Sequence, residues 1–226
     1  MATCTLALDA STYAGSVALL RDSVVVAERT LADTGMPPKG GREERMLPLV
    51  AECLEESGVR AGELGRVVCG AGPGSFTSLR IAASVAKGLA AGIGCPLFSV
   101  SSLLLTVAGL ESLPSSGLHL SVLPAMRDEW FVAEISVDAA DITKQVSPVS
   151  IVTALHLREA EEAGASIVGP GQACDARPHA RGVARLLAAI VARGAENLDG
   201  WEPDYGRLAE AQVKWEAAHG RSLFAG

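Results

Sequence analysis

The chain has 226 residues, 49% of them hydrophobic and 20% charged, with a net charge of −7. That length suits one large domain or two small ones with a proper core. The acidic balance argues against a chain that grips nucleic acid by itself, because phosphate contact needs clustered Lys and Arg. No apolar run reaches about 18 residues, so no membrane span is expected. The start lacks a basic leader and Asp9 interrupts its apolar run, so residues 1–10 read as a strand, not a signal peptide. Five cysteines, odd in number and without Cys-x-x-Cys, are expected to be free thiols in a reducing cytoplasm.

In chain order, residues 3–8, 16–20 and 24–27 are β-prone and separated by short turns, which predicts a three-stranded antiparallel meander. Residues 34–41 hold two prolines and three glycines and read as a loop. From Arg42 the period turns helical, with Met46, Val50, Cys53 and Leu54 on one stripe. A short buried strand is expected at 66–69. The Gly70–Gly74 turn follows, then a helix capped by Ser75 and running to about Ala91. Residues 97–100 form a further strand and 102–110 another helix. The polar stretch 111–117 marks a lobe boundary. Beyond it, 118–123 and 129–137 read as a strand pair, 138–147 as a turn region, 153–162 as a helix and 166–168 as a strand. Residues 181–193 read as an alanine-rich helix, 201–205 as irregular and 208–218 as a last helix. Hairpins followed by alternating helices and strands, with a weaker second half of similar logic, predict an α/β fold of two related lobes.

The chemistry centres on the turn Gly70-Ala-Gly-Pro-Gly-Ser75. A glycine-rich turn opening a helix can offer N–H groups to an anion. Here the Walker lysine is missing, Ser75 stands where a dinucleotide fingerprint has its third glycine, and Pro73 has no N–H. A tight turn that packs a helix close to a sheet is the other reading. The helix carries Ser78, Ala82, Ala86 and Ala90 at four-residue spacing. This smooth face suits either packing within the domain or a close helix contact with another subunit. Asp9 with Ser11, Thr12 and Ser16 forms a polar cluster at a hairpin of the kind actin-like ATPases place near nucleotide phosphate, or a turn capping its own backbone. Only one acid is visible there, so catalysis is not expected, and weak nucleotide contact through Asp9, Ser11 and Thr12 is. The histidines at 119, 156, 179 and 219 are scattered, with no metal-ligand spacing. Ser84-x-x-Lys87 matches a penicillin-binding motif without its companion motifs.

Leu8-Asp9-Ala10-Ser11 with Gly15–Leu19, Arg45-Met46-Leu47-Pro48, Gly72-Pro-Gly-Ser-Phe-Thr-Ser-Leu-Arg-Ile81, Ala86-Lys-Gly-Leu-Ala90 and Val100-Ser-Ser-Leu103 together resemble the TsaB family, also called YeaZ. The likeness covers residues 3–110 well and is thin afterwards. Ser78 replaces a usual glycine, and Pro124-Ala125-Met126 stands where the family tends to show Asp-Ala-Arg.

The resemblance implies an actin-like ATPase (ribonuclease H-like) fold. Residues 1–110 would form the first lobe, completed by a C-terminal helix at 205–226, and residues 111–204 a smaller second lobe. It implies a cytoplasmic, non-catalytic partner of the TsaD transferase in making threonylcarbamoyladenosine beside the anticodon of tRNA. Further implied partners are the accessory ATPase TsaE, a second copy when the chain is alone, and tRNA only through the complex. No cofactor is intrinsic on this reading, and ATP or ADP with magnesium would enter with the complex. Gly72, Pro73, Gly74, Ser75, Phe76, Thr77, Arg80, Ala82 and Ala86 are the expected turn and partner interface. An actin-fold hydrolase or glycoprotease-like peptidase acting on its own is the alternative.

Overall fold

A computed structural model of the chain describes residues 3–31, 46–140 and 143–206. The expected loop at 34–41, the helix start at Arg42 and the C-terminal helix beyond residue 206 lie outside the described residues.

The first sheet begins as the expected meander. Strands β1 (Cys4–Asp9), β2 (Ser16–Arg21) and β3 (Val24–Thr30) pair antiparallel in sequence. β4 (Leu64–Gly70) then lies parallel to β1, and β5 (Leu97–Val100) parallel to β4, for a strand order β3-β2-β1-β4-β5. Alternation along these strands feeds two cores. Leu6, Leu8, Leu19, Val67, Cys69 and Leu97 face one side, where α1 (Met46–Ser57) and α2 (Phe76–Ile93) pack. Ala7, Ala18, Leu20, Val68 and Phe98 face the other.

The second sheet repeats this plan. β6 (Gly117–Pro124) and β7 (Glu129–Val137) are antiparallel, and β8 (Thr143–Gln145) and β9 (Ser150–Thr153) both pair with β7. After α4 (Ala154–Glu162), β10 (Ser166–Gly169) lies parallel to β6, and β11 (Cys174–Asp175) parallel to β10. Strand order and sense therefore match between the lobes, except that a short loop replaces the counterpart of α2. The turn region expected at 138–147 contains β8. Its three residues were too short for a periodic signal.

The layer between the sheets is made crosswise. α3 (Ser102–Ala108) follows β5, yet its Leu103 and Val107 pack on the second sheet while Leu105 and Ala108 pack on the first. A helix apolar on all sides is what such a position requires. A 3-10 turn at Ala180–Gly182 leads into α5 (Val183–Ala192), which follows β11. Its Val183, Leu186, Leu187 and Ile190 recur at helical spacing and pack on the first sheet beside Val68 and Phe98. A division at residue 111 therefore separates the sheets, but α5 packs with the first of them rather than with the 111–204 lobe.

The β6–β7 hairpin closes on Arg127 and Asp128, both at φ 60°, with Glu129 N–H donating to the Met126 carbonyl at 3.3 Å. Two left-handed residues define a turn that favours Asn-Gly. Arg127→Asn combined with Asp128→Gly is expected to stabilise the chain by about 1 kcal/mol, seen as a higher urea midpoint with an unchanged slope.

Candidate functional site at the glycine turn

Asp9 ends β1 with its side chain fully buried. Its Oδ1 accepts the Ser11 N–H at 2.9 Å and the Ser11 hydroxyl at 2.7 Å, and its Oδ2 accepts the Ser102 hydroxyl at 2.6 Å. Ser102 Oγ in turn accepts the Gly72 N–H at 3.0 Å, and the Ser102 N–H donates to the Gly72 carbonyl at 2.8 Å. Burial pushes the Asp9 carboxyl above its ordinary value of 3.8, against the pull of its Ser102 and Ser11 hydrogen bonds. One carboxylate thus bolts the hairpin to the start of α3, and through Ser102 to the glycine turn.

The turn needs its glycines for contact. A Cβ on Gly70 would overlap Asp9 Oδ2. Gly72 sits at φ 93°, and a Cβ there would strike the Asp204 carbonyl. Gly74 backs onto the Ser11 carbonyl, which also accepts the Ser75 N–H at 2.8 Å. Pro73, joined to Gly72 by a cis peptide, is buried. Ser75 occupies the N-cap position of α2, but its side chain caps no backbone N–H and instead meets the Ser78 hydroxyl at 3.0 Å.

The residues expected to share a partner interface separate here. Ser78, Ala82, Ala86 and Ala90 are turned inward and fully buried, with the three alanines packed on the sheet core, so the smooth stripe is the packing face of α2. Ala82 and Ala86 therefore offer nothing to a second subunit, which corrects the sequence expectation. Small side chains were required because the helix lies close over β4 and β1. Phe76, Thr77 and Arg80 are exposed, with the Arg80 guanidinium 5.2 Å from the Phe76 ring centre.

A second seam of mostly small residues faces outward. Thr77, Ile81, Ser84, Gly88 and Ala91 recur at spacings of four and three along α2, all exposed or half-buried. Leu47, Ala51, Leu54 and Gly58 repeat that spacing along α1 and just beyond it. The period was visible in the sequence, but two small-residue stripes on one helix cannot be ranked without knowing which faces the sheet.

Ser102 and the segment 201–206 also escaped the sequence. Ser102 lies 93 positions from Asp9, and no local pattern links them. The segment straps the turn from outside. The Lys87 ammonium donates to the Trp201 carbonyl at 3.0 Å, Asp204 N–H donates to the Ala71 carbonyl at 2.7 Å, and the Tyr205 ring lies 4.5 Å from that of Phe76.

Asp9, Ser11 and Thr12, the residues expected to touch nucleotide, make their hydrogen bonds within the chain. Both Asp9 oxygens are committed inside the chain, the Ser11 hydroxyl is spent on Asp9, and Thr12 Oγ1 accepts the Ala14 N–H at 3.3 Å. The glycine turn stands against the same hairpin. The described histidines are also committed. His119 bridges Ser166 and the Ser115 carbonyl, each at 2.8 Å, His156 meets Thr153 at 2.9 Å, and His179 accepts from Arg181 at 3.1 Å.

Residues 26–126, from β3 to the tip of the β6–β7 hairpin, match the family model described as TsaD, tRNA N6-adenosine threonylcarbamoyltransferase. The chain is 29% identical over 236 residues to the Bacillus subtilis tRNA threonylcarbamoyladenosine biosynthesis protein TsaB, covering 93% of this chain and 96% of that one. It is 35% identical over 133 residues to the Escherichia coli protein of the same name, covering 59% of this chain and 55% of that one. The solved structure of YeaZ from Pseudomonas aeruginosa superposes with a TM-score of 0.74 at 23% identity, covering 90% of this chain and 99% of that one. These likenesses support the TsaB (YeaZ) family for this chain.

The fold of this chain is the actin-like one, two lobes of shared topology. The Escherichia coli match spans only about half the length of that relative. The glycine turn is, in this chain, a buried, self-satisfied joint between β1, β4, α2 and α3. Among the described residues no helix is long and apolar enough to cross a membrane.

Proposed function

We propose that the chain is a non-catalytic subunit in tRNA threonylcarbamoyladenosine biosynthesis, pairing with a TsaD-type transferase and forming a homodimer when alone. The observation that carries this reading is the outward seam of α1 and α2. It is backed by the first sheet, and on α2 its Thr77, Ser84, Gly88 and Ala91 are small enough for another helix to approach closely, with Leu47 and Leu54 of α1 as apolar neighbours. The names of the relatives supply the pathway. The sequestered Asp9 supports a supporting subunit over an independent hydrolase or peptidase, since its carboxylate reaches no substrate. Nucleotide, magnesium and tRNA then belong to the assembled complex, with a TsaE-type ATPase as a further partner.

Ser84→Arg and Gly88→Arg should each leave the fold intact, because both sites are exposed and a Cβ on Gly88 meets nothing within 4 Å. Each should weaken pairing with the cognate transferase at least a hundredfold, about 3 kcal/mol from overpacking a close helix contact. Ala86→Arg should instead unfold the chain. Size exclusion of the mixed proteins, with circular dichroism of each variant, tests all three. Co-elution of both surface variants at wild-type strength would move the interface elsewhere, and failure of the wild type to co-elute would end the reading.

A further inference from the structure

The described chain passes between the lobes twice, from α3 into β6 and from β11 into the 3-10 turn before α5. The two crossings touch at a pair of glycines. Gly109 follows α3 at φ −80°, and Gly182 precedes α5 at φ −57°. Residues with side chains adopt both angles, so conformation does not call for glycine at either place. Contact does. A Cβ on Gly182 would stand 2.8 Å from the Gly109 nitrogen and 3.0 Å from the Ala108 carbonyl carbon, and one on Gly109 would stand 2.8 Å from the His179 Cβ. Backbone meets backbone there, with no room for a methyl group.

Side chains then fasten the contact. The Arg185 guanidinium, in the first turn of α5, donates to the carbonyls of Ala108, Leu110 and Glu111 at 2.6, 2.7 and 3.1 Å. It fills acceptors left open at the C-terminal end of α3, and it does so from beyond the other crossing. Arg181, in the 3-10 turn, meets Glu28 of β3 at 3.0 Å and Glu111 at 3.2 Å. The Ala180 N–H donates to the buried Ser16 hydroxyl of β2 at 2.8 Å. The opposite end of α3 is held as well. Ser102 ties it to Asp9 and Gly72, and Gly206 of the strap lies so tightly between Pro73 of the glycine turn and Phe131 of β7 that a Cβ would meet both. Between the two ends, the Leu103 carbonyl accepts the Ser121 hydroxyl of β6 at 2.7 Å. Closing one lobe on the other about α3 would have to part contacts at both of its ends at once.

We propose that the two lobes form one rigid body, pinned where the crossings meet at Gly109 and Gly182 and locked there by Arg185, so that the lobes do not open or close against each other. In a two-lobed protein that works by hinge motion, such crossings are the residues that flex. Rigidity is a property of the chain alone, and it stands or falls apart from the subunit reading.

Spin labels on ketone-bearing residues placed at the exposed positions of Glu55 in α1 and Glu161 in α4 leave the native cysteines untouched and read the distance between the lobes by double electron–electron resonance. The wild-type chain is expected to give one narrow distribution that stays in place when ATP and magnesium are added. Gly182→Ala, which puts a methyl group into the contact, should displace or broaden that distribution. Arg185→Ala should broaden it and speed exchange of the Gly109 and Leu110 amides, bonded to the Leu105 and Val107 carbonyls, at least about tenfold, while exchange in β1 and β4 holds. Arg185→Lys, with a single ammonium in place of the fork, should speed it less. Two wild-type populations, or a distance that shifts with ATP and magnesium, would overturn the rigid body. Distances and exchange unchanged in both Gly182→Ala and Arg185→Ala would overturn the assignment of the pin to these residues.

Discussion

Gly72→Ala is expected to lower the stability of the chain by about 3–5 kcal/mol, combining left-handed strain with a clash against backbone. At φ 93° an L side chain is strained, and the atom its Cβ would strike is the Asp204 carbonyl, held by the strap. Neither side yields easily, because Gly72 is tied to Ser102 through both its N–H and its carbonyl, and Asp204 N–H is tied to Ala71. Thermal unfolding should show a drop of roughly 10 °C. Gly88→Ala is the matched control: the same atom added on α2 meets nothing within 4 Å, and it should be neutral or stabilise by about 0.5–1 kcal/mol. Equal melting of Gly72→Ala and wild type would mean that the turn is not the joint described.

Asp9→Ala should cost about 3 kcal/mol or more, since it strips the acceptor from three buried donors, the Ser11 N–H and the Ser11 and Ser102 hydroxyls. Asp9→Asn keeps an acceptor and should be far milder. The two also separate by pH. The Asp9 carboxyl is raised above 3.8 by burial, so between that ordinary value and its folded one the native state binds more protons than the unfolded state. Stability from this group is therefore greatest below 3.8 and falls as pH rises through the window, levelling once the folded group ionises. Urea unfolding of wild type and Asp9→Asn from pH 3 to 8 should show the difference shifting in favour of Asn as pH rises. A difference that stays flat across that range would show that Asp9 is not a buried acid.

Much of this was legible before the structure. The meander showed because three β-prone runs are separated by short polar turns, and the turn showed because glycine and proline punctuate so strongly. The clustering of Asp9 and Ser11 was local and therefore visible. Ser102, the strap at 201–206 and the return of α5 to the first sheet were not. Each depends on a contact between residues far apart in sequence, and a hydroxyl or an amphipathic helix carries no mark of its partner. β8 and β11 were too short to show a period.

What the sequence by itself determined was the kind of each long element and the motif that relates the chain to the TsaB family, since both are properties of adjacent residues. The tertiary structure decided what the motif does here. It turned the stripe of Ser78, Ala82, Ala86 and Ala90 to the sheet, left Thr77, Ser84 and Gly88 outside, and closed Asp9 behind the glycine turn. The physical reason is that helical period names the faces of a helix, while only the neighbouring sheet chooses which one is buried.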